Sequence, residues 1–134
     1  MFANKKEAKL LHWHEEGCNK DTMLCHPADC AQWRYIDNTY GWFDDDPRNI
    51  KFALSTDGMN PYGNMSTSHS TCPALLSVMN LPPWFCNKRK YIMLSTLVSR
   101  LKQPGDRIDV FLRPLIDDLQ LLWKGVEVRD AVVN

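Results

Sequence analysis

The densest group of chemically capable side chains lies near the N-terminus: His12, His14, Cys18, Cys25, His26 and Cys30. Imidazole and thiolate are zinc ligands, but zinc sites ordinarily use closely spaced Cys-x₂₋₄-Cys or His-x₃₋₅-His pairs. Here Cys18 and Cys25 are seven apart and Cys25 and Cys30 five apart, while His12 and His14 point to different sides of a helix. The pattern fits buried thiols and a helix-capping His26 better than a metal centre. Asp44, Asp45 and Asp46 supply hard oxygen donors, yet three adjacent acids repel one another and read as a solvated loop. Asp57-Gly58 is by itself a hairpin turn signal. Lys88-Arg89-Lys90 suits DNA phosphates, a short nuclear-import signal, or simply a solvent-exposed turn. His69, in the polar stretch Ser66 to Thr71, has no identifiable oxyanion donor or third partner, so a hydrolytic triad does not follow.

These residues are positioned by a simple order of elements. Asn4 to Trp13 reads as a short helix with Ala8, Leu10 and Leu11 near one face, stopped by Gly17. Cys25 to Asn38 reads as a second helix, with Pro27 in its first turn, Asp29 near its start, and Trp33 and Ile36 on one face. From Ile50 the period becomes two, with Ile50, Phe52, Leu54 and Thr56 on one side of a half-buried strand and Asp57 at its tip. Thr71 to Leu81 and Tyr91 to Val98 are two further apolar runs, separated by turn formers, which suggests an antiparallel meander. Pro73 fits a strand beginning or an edge.

After Pro104-Gly105 the period shifts to that of a helix. Ile108, Phe111, Leu112, Leu115, Ile116, Leu119 and Leu122 trace one face, Asp106 is a candidate N-cap, and Gly125 closes it. Pro114 either kinks this helix or begins its regular part. Val126, Val128, Val132 and Val133 hint at another strand. Core or rim packing is expected for Trp13, Trp33, Trp42, Trp84 and Trp123.

The chain has 134 residues, about one domain, with 44% apolar and 24% charged residues. Sixteen basic and sixteen acidic residues cancel. A stand-alone nucleic-acid binder usually carries a basic excess, so DNA binding here requires a local patch or more polypeptide. No apolar run approaches the ~20 residues of a membrane span, and no secretory signal is evident. Five cysteines with no export signal read as reduced thiols, hence a nuclear or cytoplasmic setting.

Several strings occur in a specific order: Trp13-His14, "HPAD" at His26 to Asp29, and "DPRN" at Asp46 to Asn49. "TDGMNPYGNMSTSHST" follows at Thr56 to Thr71, then "NLPPW" at Asn80 to Trp84 and "IDVFLRPLIDDLQLLW" at Ile108 to Trp123. Over about nine tenths of its length the chain thereby resembles the transposases of plant CACTA (En/Spm-like) elements, near the start of their catalytic region.

The resemblance implies an α+β fold: an incomplete RNase H-like domain, three antiparallel strands then a helix, over residues 48–134. Residues 1–47 would form a helical N-terminal extension. It also implies metal-dependent DNA strand cleavage and transfer by three acidic residues holding two Mg²⁺ or Mn²⁺ ions, with Asp57 as the first catalytic and metal ligand. Paired metals about 3.5–4 Å apart clamp the attacking and leaving oxygens of an in-line displacement, and hard carboxylates on a rigid central strand suit them. The family's other two acids lie downstream of the matched segment. The expectation is therefore a truncated product, inactive alone and not expected to retain the metals. DNA is the partner of the intact protein. An exposed sheet edge and helix face would favour self-association or pairing with an intact transposase.

Overall fold

A computed structural model describes residues 3–17, 23–60, 70–100 and 108–128. Its elements are helices α1 (Lys5–Leu10), α2 (Trp13–Glu16), α3 (Ala31–Thr39) and α4 (Gly41–Asp44), strands β1 (Phe52–Thr56) and β2 (Ser70–Val78), helix α5 (Pro83–Cys86), strand β3 (Ile92–Arg100) and helix α6 (Ile108–Trp123). The strands form one antiparallel sheet in the order β1-β2-β3. The predicted α+β succession is present, with α4, α5 and two 3₁₀ turns added. Two compact units are distinguishable. One draws on Met1–Ala53 and Ser77–Ile92, the other on Leu54–Leu76 and Met93–Glu127.

The first unit is organised around Leu11, Val78, Leu81, Cys86 and Tyr91, with Leu10, Ile50, Phe52, Met79 and Phe85 packed on them. Asn4 starts α1 by accepting from the Lys6 and Glu7 N–H groups through its side chain, which satisfies two otherwise orphan donors. Helix α1 turns Ala8 and, just past its end, Leu11 inward. The single predicted N-terminal helix is interrupted at Leu11-His12, and α2 restarts at Trp13. Gly17 caps α2 for a steric reason. A Cβ there would lie 2.2 Å from the Trp13 indole nitrogen.

The predicted helix over Cys25 to Asn38 is likewise two pieces. Pro27–Asp29 is a 3₁₀ turn, Cys30 returns to extended backbone (φ −82°, ψ 157°), and α3 begins at Ala31. Trp33 is the buried side chain of α3 and Ile36 is half-buried, as their three-residue spacing suggested.

In the second unit the buried apolar residues are Cys72, Ala74, Leu76, Val98 and Leu115. Strand β2 buries its even-numbered residues from Cys72 to Val78, while the odd-numbered ones between them are half-buried. It lies between two neighbours, so the placement of Pro73 at a strand start or edge is corrected: Pro73 stands inside the middle strand. Strand β1 also departs from the expected alternation. Leu54 is 50% exposed, and both faces of β1 are open from that residue onward. Among the described residues β1 is an edge strand, not a central one.

Helix α6 runs through Pro114 without interruption. Its covered line is Ile108, Phe111, Leu112, Leu115 and Leu119, whereas Ile116 and Leu122, expected on the same face, are exposed. Gly125 follows in the left-handed region (φ 91°), where a side chain would be strained, and closes the helix as expected. Val126 and Val128 are exposed and outside any strand; Asp106, Val132 and Val133 lie outside the described residues.

Candidate functional site

Asp57 follows the last residue of β1 and is exposed. The register of β1 on β2 fixes what it faces. Met59 and Thr71 exchange both backbone hydrogen bonds, each 2.8 Å, and the Met79 N–H donates to the Lys51 carbonyl at 2.9 Å with the same offset. No residue is therefore gained or lost between these two points, and Pro73 lies directly opposite Asp57. Counting in steps of two from Met59–Thr71 makes Asp57–Pro73 a hydrogen-bonded position of the ladder. Proline has no N–H to give, so the rung to the Asp57 carbonyl is missing and β1 ends at Thr56. Asp57 and Gly58 are thus released from the ladder before the Met59–Thr71 bridge re-forms it.

An exposed carboxylate at a strand end is a suitable hard donor for Mg²⁺ or Mn²⁺. Among the described residues, however, no three His, Cys, Asp or Glu side chains come together to hold a metal ion. The described residues by themselves do not complete a two-metal site.

The N-terminal histidines have other occupations, whereas the buried thiols expected beside them are corrected: Cys25 is exposed and Cys30 half-buried. His14 is buried, and its Nδ1–H donates to the Leu11 carbonyl at 2.9 Å. His26 is buried too. Its Nδ1 accepts from the Ala28 N–H at 3.1 Å, and its Nε2–H donates to the Leu81 carbonyl at 3.0 Å. Asp29 completes the cap, its Oδ2 accepting from the Cys25 and His26 N–H groups at 3.0 and 2.8 Å. Burial holds both imidazoles below their ordinary pKa. The capping role expected of His26 is present, on a 3₁₀ turn. The Cys86 thiol also donates to the Leu81 carbonyl, at 2.8 Å, and burial pushes its pKa up, which disfavours the reactive thiolate. Cys18 and His69 lie outside the described residues.

The three consecutive aspartates do not act together. Asp46 takes the Arg48 guanidinium in a forked contact (2.6 to 3.2 Å), which holds its carboxyl below the usual range. Asp44 pairs at 3.3 Å with Lys51, whose ammonium also meets Asp37 and sits 4.2 Å from the Trp33 ring centroid.

Asn80, fully buried, is the residue that sequence reasoning missed. Its Oδ1 accepts from the Lys51 N–H at 2.8 Å, and its Nδ2 donates to the Asn49 and Pro47 carbonyls at 2.9 and 3.1 Å. The only hint was an Asn ahead of Leu-Pro-Pro, with no periodicity to mark it as buried. Four of the ordered strings therefore meet in one unit. "HPAD" meets "NLPPW" through His26 and Leu81, and "DPRN" meets it through Asn80. Trp13 lies edge-on to His26 and Trp84, at 5.0 and 5.6 Å between ring centroids. Trp33 is buried and Trp13 half-buried, while Trp42, Trp84 and Trp123 are 57%, 61% and 46% exposed, Trp42 lying edge-on to Phe43 and Trp84 to Trp13.

No curated protein matches the chain, and no solved structure does. A family model does, over residues 21–134, described as "Transposase family tnp2". That span holds Asp57, Pro73 and every string but Trp13-His14. The match covers most of the chain, with the acid at its strand tip, and the chain belongs to the tnp2 family of transposases.

Proposed function

We propose that this chain carries part of the catalytic region of a CACTA (En/Spm-like) DNA transposase of plant type, acting in the nucleus or cytoplasm. Its ancestral reaction is divalent-metal-dependent DNA strand cleavage and transfer. Asp57 is one of the acidic ligands, and the three strands and α6 within residues 48–134 are the opening of an RNase H-like domain behind a helical extension. The observation that supports this best is the release of Asp57 from the ladder by Pro73, which leaves an exposed carboxylate at a fixed register point on a sheet. A single carboxylate cannot position two metal ions, so the chain alone is inactive.

Two assays test the reading. The purified chain, given supercoiled plasmid with Mg²⁺ or Mn²⁺, is expected to leave it intact. Nicking that vanishes in Asp57→Asn would overturn the inactive reading. Substituted for the matching segment of an active tnp2 transposase, the chain is expected to support excision, and Asp57→Asn in that chimera to abolish it. Excision surviving the substitution removes Asp57 from the site.

A second reading, a non-catalytic module that pairs with an intact transposase, is favoured by exposed apolar side chains. On α6 these include Val110, Ile116, Leu121 and Leu122, and on β3 Met93, Leu94 and Leu97. Co-purification with a full-length relative supports it; no binding at micromolar concentration counts against it.

A further inference from the structure

The formal net charge of zero hides a local concentration of cations. Lys88, Arg89 and Lys90 are consecutive and exposed, on the turn that follows α5. The Lys90 ammonium reaches Glu7, so α1, with exposed Lys5, Lys6 and Lys9, is tied to the same turn. Glu7 is only half-exposed, and that pairing offsets its charge. The Lys88 ammonium sits 4.5 Å from the Phe85 ring centroid, and Phe85 in turn lies edge-on to the buried Tyr91. The turn is therefore seated on a packed aromatic base.

Four residues before Lys88, on α5, stands Trp84. One contact of its indole is edge-on, with Trp13, yet the side chain remains 61% exposed. An exposed large aromatic next to a cluster of cations is the pairing that single-stranded nucleic acid uses. Phosphates follow the charge, and a base stacks on the ring, whichever base it is. A duplex keeps its bases stacked inside and would leave Trp84 without a role.

We propose that Trp84, with Lys88, Arg89 and the lysines of α1, forms a docking surface for single-stranded DNA that is insensitive to base sequence. This surface does not depend on Asp57 or on any metal. All its residues belong to the first compact unit, and its binding is measured in EDTA, so its failure and that of the catalytic reading are separable.

The test is fluorescence anisotropy of the whole chain with a labelled 20-nucleotide oligo-dT and with a duplex of equal length, over a salt series. The single strand is expected to bind more tightly. Trp84→Ala should weaken that binding about ten-fold, since one stacked base is worth ~1–3 kcal/mol. Lys88→Gln with Arg89→Gln should lower the slope of log affinity against log salt by about 1.4, at ~0.7 per cation for single strands. Lys124→Gln, at the far end of α6, should change neither. Circular dichroism and melting of each variant confirm that the fold is retained, as expected for exposed positions. No binding by the intact chain, equal binding of the duplex, or unaltered affinity and salt slope in the Trp84 and Lys88/Arg89 variants would overturn the proposal.

Discussion

Pro73 stands across the β1–β2 ladder from Asp57 and cannot supply the hydrogen bond that this position calls for. The strand ends where the candidate ligand begins because the partner strand withholds a donor. Pro73→Val restores an N–H and a strand-forming side chain. We expect a slowly exchanging amide at residue 73 in hydrogen-exchange NMR and a gain of about 1 kcal/mol in stability. A rapidly exchanging amide there would show that the register argument is wrong.

Asn80, itself fully buried, holds one N–H and two carbonyls of the half-buried residues Lys51, Asn49 and Pro47. Asn80→Ala removes three hydrogen bonds at once, and a loss of about 3 kcal/mol is expected in urea unfolding. Asn80→Asp keeps the acceptor but loses both donors, and should also destabilise. A loss under 1 kcal/mol in the Ala variant would mean that the loop from Pro47 to Asn49 re-solvates without cost.

Gly17 has no room for a side chain, because the Trp13 indole is held against His26 and Trp84 and cannot easily move aside. Gly17→Ala is expected to cost about 2 kcal/mol, in the range found for overpacked sites. The matched test is Trp13→Leu in the same background, which should remove most of the penalty of the alanine. Additive effects of the two substitutions, read from thermal melts, would exclude the clash.

Two buried histidines give stability a definite pH dependence. Burial depresses the folded pKa of His14 and His26, while the unfolded chain titrates at the ordinary value of about 6.5. The unfolded state therefore takes up protons first as pH falls. Stability should decline below pH ~6.5, by at most about 1.4 kcal/mol per pH unit for each histidine, and level off beneath the folded values. Asp46, held low by Arg48, adds its loss only at more acidic pH, below the ordinary carboxylate range. Melting between pH 5 and 7.5 checks this, and His26→Asn should flatten the slope. An unchanged melting temperature over that range would contradict neutral burial of these rings.

Much of the element order was legible beforehand, because helix and strand periods are local properties. The 3.6-residue spacing from Ile108 and the apolar runs of β2 and β3 announce their elements without reference to any other part of the chain. The cap at His26, Pro27 and Asp29 was readable for the same reason: its hydrogen bonds join near neighbours. Leu54, Ile116 and Leu122 were misplaced because periodicity says which residues share a face, and not whether anything covers it.

The sequence by itself determined the composition of the chain, the ordered motifs that place it among transposases, and the candidate acid at a strand tip. Tertiary structure alone decided what those motifs do. Asn80 meets Pro47 and Asn49, His26 meets Leu81, and Pro73 meets Asp57 across separations in the chain that no local pattern encodes. Burial of a polar side chain is worth its desolvation only when distant partners are brought to it. Those partners exist only once the chain has folded.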